Sequence, residues 1–558
     1  MGFLETLQKV AEDHACSEHH SRRGVKDSLE LKRILALPRR VLPDVDLTWK
    51  YSKSGEFSLR RIQSQALHEA QLADGLFAPV AVGGGKSLIA FLLPDAMEAK
   101  NPLILTKPAV RDQMERERET FYGLHFNLPH CRIVSYNELS SAKSRGILDD
   151  VEPDLIIADE AHCLKNKESA RTKRFIRYMN KNPGTRFCAM SGTMTSRSLL
   201  DYAHLIEFAL GKNSPIPCRR GDLLEWAAAL DAGAISPMPP GYLRLLCREG
   251  ESTRSGFRRR LISTVGVVAT SVGSSDTRLV VRRRSPQVPQ AVKDLYRNTE
   301  SSWALAGEEF DTALRLSNAL RQISCGFYYK WDWPGGDVDG EWMEARAKWN
   351  REVRQKLKHS REGMDSPSLL WNAAEAFHTH REDAHVWESE CWPAWSAVKG
   401  RWNPHPPRRT VWIDDFLARE AVEWAEKTKK RGIIWCQWSA LAERVATLGN
   451  FPLYGQGQDA STANAAIIVC TTDTQGTGKN LQHHYQHNFF TTLPPNGKMV
   501  EQILGRTHRP GQKGDFVSAE WCAHTNVLSS AMDRVITDSQ YTQGTTGQTQ
   551  KILQAEHL

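Results

Sequence analysis

Three glycines followed by a lysine and a serine form the segment of this chain whose chemistry is easiest to predict. Val80–Ser87 reads VAVGGGKS and stands between an apolar strand pattern and a helical one. Glycines let backbone N–H groups approach a phosphate closely because no Cβ blocks them. A lysine there supplies a cation for the β- and γ-phosphates, and a serine offers its hydroxyl to Mg²⁺. The predicted phosphate-binding residues are Gly83, Gly84, Gly85, Lys86 and Ser87.

This segment departs from the longer phosphate-loop pattern, G-x-x-x-x-G-K-[ST], because position 80 is valine instead of glycine. The shorter pattern, G-x-G-K-[ST], is intact. A chance glycine-rich turn is the alternative interpretation. The strand–loop–helix setting favours the phosphate site.

Two adjacent acids end a second apolar run, Leu155–Ala158, within the segment DLIIADEAH. The carboxyl ends of strands are where ligands bind in open α/β sheets. Hydrolysis of a nucleoside triphosphate needs one carboxylate to hold Mg²⁺ and another to orient or deprotonate the attacking water. Asp159 fits the first role and Glu160 the second. The alternative, an ordinary helix N-cap, is disfavoured because the glycine-rich loop lies upstream in the same predicted sheet.

Short apolar runs alternate with helical patterns in two separate blocks of the chain, which predicts an α/β fold with two parallel sheets covered by helices. The predicted strands are Leu76–Val82, Leu103–Thr106, Arg132–Ser135, Leu155–Ala158 and Phe187–Met190 in the first block, and Ile433–Cys436, Ala466–Thr471, Asn488–Thr492 and Phe516–Cys522 in the second.

The region between the blocks, about residues 211–410, lacks this alternation, and ten of the seventeen tryptophans fall between Trp331 and Trp412. Tryptophans could stack on unpaired bases, but they are more often the large core residues of a helical subdomain, which we favour. The predicted domains are an N-terminal accessory segment (1–57), a first lobe (58–212), a mainly helical, Trp-rich insertion (213–410), a second lobe (411–545) and a C-terminal tail (546–558).

Composition narrows the class of protein only moderately. The net charge of +8 is mild, and each arginine cluster alone is more often a solvated face than a nucleic-acid site. No apolar stretch approaches the ~20 residues of a membrane span, so we expect a cytoplasmic protein with no membrane partner. The eleven cysteines form no C-x-x-C pair, which predicts neither a disulfide framework nor a zinc ribbon. A cluster of His14, Cys16, His19 and His20 could hold a metal, although a solvated helix end is the preferred interpretation.

The sequence motifs resemble those of the superfamily 2 helicases, and more narrowly those of the Swi/Snf-like group of DNA-dependent ATPases. Asp159–His162 spells the DEAH box, and Cys163–Asn166 (CLKN) resembles its Swi/Snf-like continuation. Gln502–Gln512 (QILGRTHRPGQ) is very close to motif VI, "QxxGRxxRxGQ", and is the most specific match. Ser191–Thr193 (SGT) resembles motif III, with Met194 in place of the usual proline.

Further segments resemble motifs of this family in the expected order, over roughly residues 58–210 and 411–540. They are Leu59–Gln63 (LRRIQ, ahead of the phosphate loop), Leu103–Gln113 (motif Ia), Ile133–Leu139 (motif Ib), Gly432–Trp438 (motif IV) and Thr471–Leu481 (motif V).

The resemblance implies two RecA-like lobes that bind ATP and Mg²⁺ between them. It gives Lys86, Glu160, Arg506 and Arg509 catalytic roles, the two arginines as fingers brought by the second lobe. Gln63 would read adenine, and Gly478 would add to the nucleotide site. Ser191, Thr193 and Gln502 would couple the lobes, whereas Lys107, Thr472, Thr474 and Gly476 would contact nucleic acid.

The same resemblance implies an ATP-dependent motor that translocates on double-stranded DNA, of a compact phage or bacterial type. A strand-separating helicase and a catalytically silent nucleic-acid-binding scaffold are the alternatives. We expect a monomer, with the Trp-rich region as a possible site for protein partners.

Overall fold

The computed structural model describes residues 28–41, 45–53, 55–195, 197–231, 241–270, 277–310, 312–359, 364–381, 385–428, 430–476 and 478–558. The possible metal cluster around His14 and Cys16 lies outside these ranges. Within them, no helix combines the length and the apolar character that a membrane crossing would require.

The first sheet has five parallel strands in the order β1-β5-β4-β2-β3, and its strands are apolar and largely buried. Because β5 lies between β1 and β4, the residues that follow these three strands meet at one edge of the sheet. All five strands were predicted from the sequence. They are β1 (Leu76–Ala78), β2 (Pro102–Thr106), β3 (Arg132–Ser135), β4 (Leu155–Asp159) and β5 (Arg186–Met190).

The second sheet has seven parallel strands in the order β12-β13-β11-β14-β15-β6-β16. The prediction of an α/β fold with two helix-flanked parallel sheets is thereby confirmed, and the architecture matches two RecA-like lobes. The strands are β6 (Arg278–Arg284), β11 (Gly432–Cys436), β12 (Leu453–Tyr454), β13 (Ile467–Thr471), β14 (His487–Phe490), β15 (Phe516–Cys522) and β16 (Glu556–His557).

Two strands of this sheet come from outside the predicted second lobe. Strand β6 belongs to the region predicted to be mainly helical, and β16 belongs to the predicted tail. Along its whole length β6 pairs with β15, burying Leu279, Val280 and Val281. Arg284 at its end is held by Glu420 and, at 3.0 Å, by Glu520. The second lobe is therefore completed by segments distant in sequence.

The tryptophans from Trp331 to Trp402 form a core of their own, as the favoured interpretation of the sequence predicted, whereas Trp226 is buried in the core of the first lobe. Six tryptophans of this group are buried and others are half-buried, and the rings of the group meet mostly edge to face, for example at a centroid distance of 5.3 Å between half-buried Trp371 and buried Trp392. Each such ring pair stabilises the folded subdomain beyond the contribution from burying its apolar surface. The buried members are Trp333, Trp342, Trp349, Trp387, Trp392 and Trp395.

This Trp-rich subdomain is connected to the second lobe through the chain and contacts the first lobe through side chains. Strands β7 (Ala304–Leu305) and β8 (Glu308–Glu309) form a short antiparallel pair, and a second antiparallel pair, β9 (Phe327–Trp331) and β10 (Arg408–Trp412), connects the Trp-rich subdomain to the second lobe. On the first lobe, Arg174 donates to both carboxylate oxygens of Asp365, at 2.9 and 3.2 Å. Both side chains are 2% exposed, so the contact is a fully desolvated ion pair.

The long helix Asn526–Thr546 at the end of the second lobe also contacts the first lobe. Its Thr542 hydroxyl donates to the carbonyl of Thr195 over 2.6 Å, and the hydroxyl of Tyr541 donates to Asp231 over 2.6 Å. The two lobes are thus held together at several points.

The α-helices that cover the sheets and form the Trp-rich subdomain are Leu29–Ala36, Thr48–Tyr51, Arg61–Ala73, Lys86–Ala96, Pro108–Glu117, Gly123–His125, Tyr136–Ser140, Ile147–Val151, Ala170–Lys181, Ala203–Leu210, Arg220–Leu230, Thr253–Ile262, Gln290–Ser302, Ala313–Ile323, Gly340–Lys358, Pro367–His378, Trp392–Val398, Phe416–Thr428, Ser439–Gly449, Thr472–Gln475, Gly497–Thr507, Asn526–Thr546 and Lys551–Gln554.

Candidate active site

The glycine-rich loop connects β1 to the helix Lys86–Ala96, called here the P-loop helix. Gly83 and Gly85 have φ angles of 89° and 80°, in the left-handed region that favours glycine. A Cβ at Gly84 would lie 2.5 Å from Cγ1 of Val80. Val80, the departure from the longer pattern, is buried beneath the loop and makes glycine necessary at position 84.

Lys86 begins the P-loop helix, and its Nζ lies 3.3 Å from the carbonyl oxygen of Val80. The helix behind it is almost entirely buried and apolar. The lysine is therefore carried on a rigid element whose N-terminus points into the loop, the geometry that suits an anion.

The predicted acid pair lies at the end of β4. Asp159 is buried; its carboxylate accepts from the hydroxyl of Thr106 at 3.2 Å and its carbonyl accepts from Tyr136 at 2.8 Å. Burial, together with the charge of Glu160, raises the pKa of Asp159. A nearby cation would offset that cost, so the carboxyl is suited to binding a metal ion.

Glu160 has a φ of 55°, a strained conformation for a residue with a side chain and one that clusters at functional sites. Burial opposes ionisation of this carboxyl, but Lys86 and His162 outweigh it and hold its pKa well below the usual value. The carboxylate oxygen lies 3.1 Å from Nδ1 of His162. Glu160 is thus an ionised carboxylate in a buried site.

Ser191, which follows β5, joins the acid pair to motif III. Its hydroxyl lies 2.8 Å from Nδ1 of His162 and 3.3 Å from Glu160 Oε2, to which it donates. The backbone N–H of Thr193 donates to the same hydroxyl at 3.1 Å. Ser191 and Thr193 are both buried, so the loop after β5 is linked to Glu160 by buried hydrogen bonds.

The two predicted arginine fingers are held by the second lobe. Arg506, on the helix Gly497–Thr507 (the motif VI helix), donates to the carbonyls of Gln502 at 2.9 Å and Lys479 at 3.0 Å. Arg509 donates to Asn480 Oδ1 at 2.7 Å. Burial, followed by the charge of Arg509, lowers the pKa of Arg506 to about 9, so an anion bound beside these arginines would offset the cost of burying their charges.

Both lobes line one cavity of about 530 Å³. Lys86, Asp159, Glu160, Arg506 and Arg509 all face it, although they lie far apart in the chain. Such a volume is in the range of small-ligand sites. The cavity is lined by Val82, Gly83, Gly85, Lys86, Ser87, Lys107, Val110, Gln113, Met114, Glu117, Phe121, Tyr122, Asp159, Glu160, Gly478, Asn480, His483, Gln502, Arg506 and Arg509.

Gln63, expected to read adenine, lies behind the loop. It is 5% exposed; its Oε1 accepts from the backbone N–H of Arg60 at 2.8 Å, and its Nε2 donates to the carbonyl of Gly85 at 3.2 Å. A Cβ at Gly85 would lie 2.2 Å from Nε2. In this conformation Gln63 supports the loop from outside the cavity.

The residues expected to contact nucleic acid are divided between the cleft and the interior. Lys107 lines the cavity, and its Nζ lies 3.5 Å from Oε1 of Gln502 in the other lobe. Thr472 and Gly476 are buried, whereas Thr474 is half-buried, with its hydroxyl 2.5 Å from that of Thr471. In this conformation neither Lys107 nor Thr472 presents its side chain on an outer surface.

Several cavity residues were not predicted individually. Gln113 and Asn480 lie within the segments matched to motifs Ia and V, so the motifs could have indicated them. Phe121 and Tyr122 follow motif Ia without any pattern of their own. The predicted C-terminal tail also approaches the site, since the Gln548 side chain donates to the carbonyl of Gly192 and the N–H of Lys551 donates to Glu501 at 2.8 Å.

No protein-family model matches the chain, and comparison with curated proteins finds no significant relative.

Proposed function

We propose that this chain is an ATP-hydrolysing nucleic-acid motor, a DNA-dependent ATPase and translocase similar to the Swi/Snf-like group of superfamily 2. One observation carries the proposal. The glycine-cradled Lys86, the carboxylates of Asp159 and Glu160, and the guanidinium groups of Arg506 and Arg509 line a single cavity between two parallel-sheet lobes. This is the arrangement that phosphoryl transfer between lobes requires.

The residues present fit Mg²⁺ and a triphosphate. Ser87 offers a hydroxyl and Asp159 a carboxylate, the hard oxygen donors that Mg²⁺ prefers, and it commonly takes only one or two carboxylates beside phosphates and water. Within the described ranges no group of three or more His, Cys, Asp or Glu side chains could hold a metal without such help. When bound, the ion would neutralise phosphate charge.

Glu160 is suited to orient or deprotonate water, because it is an ionised carboxylate held by His162 and Ser191 beside Lys86. The backbone N–H groups of the loop and the Lys86 amine would bind phosphate oxygens. Arg506 and Arg509 would stabilise the charge that develops on them in the transition state. Their position on the second lobe makes hydrolysis depend on the contact between lobes.

That dependence is what would convert hydrolysis into movement. Closing and opening of the cleft would shift two nucleic-acid-binding surfaces relative to one another, with Ser191 relaying the change on one side and Gln502 on the other. Double-stranded DNA is the proposed track. Contacts to its backbone would give little sequence preference.

The proposal is tested by the ATPase activity of Lys86→Ala, with exposed Lys100→Ala as the matched control. Lys86→Ala should have no turnover and a native thermal transition, whereas Lys100→Ala should resemble the unmodified protein. Double-stranded DNA should stimulate the ATPase more than single-stranded DNA or RNA, and the stimulation should fall as salt rises. Full activity of Lys86→Ala would refute the phosphate site.

Two displacement assays separate the alternatives. A translocase on duplex DNA should displace a third strand from a triplex without separating the duplex, whereas a helicase should release a strand from the duplex itself. Binding to nucleic acid without any ATP hydrolysis would favour the scaffold.

A further inference from the structure

Phe121 is an aromatic side chain that lines the cavity and packs among other rings. It belongs to a short π-helix, Arg118–Tyr122, which directly follows the helix Pro108–Glu117. Its ring meets those of Tyr122, Phe57 and His125 edge to face, at centroid distances of 5.2, 5.6 and 5.2 Å. Despite these contacts Phe121 is 42% exposed. The ring is therefore fixed in orientation and still open to a ligand.

The π-helix places two consecutive aromatic residues on the cavity wall, since both Phe121 and Tyr122 line it. Such single-turn π-helices are frequent at functional sites. Tyr122 packs against Phe91 of the P-loop helix at 5.8 Å. The aromatic wall is thus fixed relative to Lys86, which begins the same helix.

A polar pair stands beside these rings. The side-chain amide of Gln113 donates to Glu117 Oε1 at 2.6 Å, and both residues line the cavity. One of the two amide N–H groups is used within the pair, which leaves one N–H donor and the oxygens of both side chains, so that oxygen acceptors predominate. A ligand group that donates hydrogen bonds suits this part of the wall, whereas a carbonyl oxygen would face a carboxylate.

Gln63 does not supply this recognition in this structure, because it is buried behind Gly85, its amide oxygen accepts from the backbone N–H of Arg60 and its amide nitrogen donates to the carbonyl of Gly85. Phe121, Tyr122, Gln113 and Glu117 instead line the cavity from the helix Pro108–Glu117 and the π-helix that follows it. A flat apolar surface beside oxygen acceptors is the environment that an amino-substituted heteroaromatic ring requires.

We propose that Phe121 and Tyr122 stack on the nucleobase of the bound nucleotide, and that Glu117 with Gln113 accepts hydrogen bonds from its exocyclic amine, so that the site selects adenine. The inference rests on the proposed function, because it assumes that the triphosphate occupies the Lys86 end. Hypoxanthine and guanine carry a keto oxygen where adenine carries its amine, and that oxygen would be repelled by Glu117.

The first test is calorimetric binding, which does not depend on turnover, using ATP and inorganic tripolyphosphate as probes. Phe121→Ala should weaken ATP binding by about 10-fold, the scale of lost base stacking, and leave tripolyphosphate binding unchanged. Phe121→Trp should retain ATP binding. Leu124→Ala, an exposed residue just beyond the π-helix, is the matched control and should change neither ligand.

The second test replaces Glu117 with Gln and compares ATP with ITP. The unmodified protein should bind ATP at least about 10-fold more tightly than ITP, because the Glu117 carboxylate cannot accept a hydrogen bond from the keto oxygen of hypoxanthine. In Glu117→Gln that preference should shrink, because an amide can also donate to a keto oxygen.

These experiments separate the two proposals. Base-selective binding without hydrolysis would refute the proposed motor function and support the proposed nucleobase site. Hydrolysis with equal affinity for ATP and ITP, or an unaltered ATP affinity in Phe121→Ala, would overturn the base site alone. Equal loss of ATP and tripolyphosphate binding in Phe121→Ala would also overturn it, since the ring would then only support the fold.

Discussion

Gly505 of the second lobe lies directly against Val82 of the first. A Cβ at Gly505 would be 2.6 Å from Cγ1 of Val82 and 3.1 Å from its Cβ, closer than packed carbon atoms can approach. The motif VI helix and the glycine-rich loop therefore meet without space for a methyl group. Arg506, the next residue along, owes its position beside the loop to this contact.

Gly505→Ala should consequently hold the lobes apart. Misplacement of catalytic groups by about 1 Å can cost on the order of 100-fold in rate, so we expect kcat to fall by about that factor. Nucleotide affinity should change much less, because the loop residues belong to the first lobe. Steady-state ATPase kinetics and calorimetric ATP binding on the same preparation measure the two effects.

Gly544→Ala is the matched control, since a Cβ there would meet no atom within 4 Å and alanine favours the helix. Val82→Ala removes the Cγ1 that blocks the new methyl group, so it should partly restore kcat in the Gly505→Ala background. Normal kcat in Gly505→Ala would mean that the contact is not needed for hydrolysis.

Arg506→Ala and Arg509→Ala should each lower kcat far more than ATP affinity, because a finger acts chiefly in the transition state. Removal of such an arginine is expected to cost about 1,000-fold or more. Arg506→Lys should not rescue the rate, since lysine cannot reproduce the paired donors that reach Gln502 and Lys479. Exposed Arg419→Ala serves as control. An unchanged kcat would give these arginines a structural role.

Asp365→Asn should loosen the Trp-rich subdomain from the first lobe. Breaking a buried pair leaves Arg174 uncompensated at 2% exposure, which typically costs about 3–5 kcal/mol. Glu341→Gln breaks the exposed pair with Arg401 and should change the free energy of unfolding far less, because solvent screens an exposed pair. Denaturant unfolding followed by tryptophan fluorescence reports on the subdomain directly. Equal effects of the two substitutions would show that Asp365 does not hold the Trp-rich subdomain on the first lobe.

Local patterns were sufficient to predict the first sheet and the phosphate-loop and acid residues. The apolar run of β4 and the two acids are adjacent in sequence. One short segment therefore predicts the strand, the sheet edge at which it ends and the two carboxylates at that edge. Strand β6 could not be recognised in this way, because its three buried residues, Leu279 to Val281, are flanked by arginines. Its place in the sheet depends on pairing with β15 and β16, which are distant in the chain.

The site residues that were missed depend on packing between elements. The position of Tyr122 on the cavity wall follows from its contact with Phe91, and neither residue carries a motif. Conversely, a motif predicted that Gln63 would read the base, but the side chain is drawn to Arg60 and Gly85 because the helix start and the loop need its hydrogen bonds. Sequence patterns identify residue types, whereas tertiary contacts decide which way each side chain faces.

Glu501 gives the protein a pH-dependent stability of predictable sign. It is 1% exposed, and burial, opposed by the nearby Lys551, raises its pKa from 4.5 to about 7. A carboxyl whose pKa is higher in the folded than in the unfolded state contributes stability that is complete below pH 4.5 and is lost as pH rises through 7.

Glu501→Gln cannot titrate and keeps an oxygen to accept from the backbone N–H of Lys551. The free energy of unfolding of the unmodified protein, relative to this variant, should therefore fall between pH 5 and pH 8, by a total on the order of 3 kcal/mol. Chemical denaturation across that range measures the difference, with exposed Glu426→Gln as control. A relative free energy that stays flat, or that rises with pH, would mean that Glu501 is ionised in the folded protein throughout and that Lys551 compensates its charge.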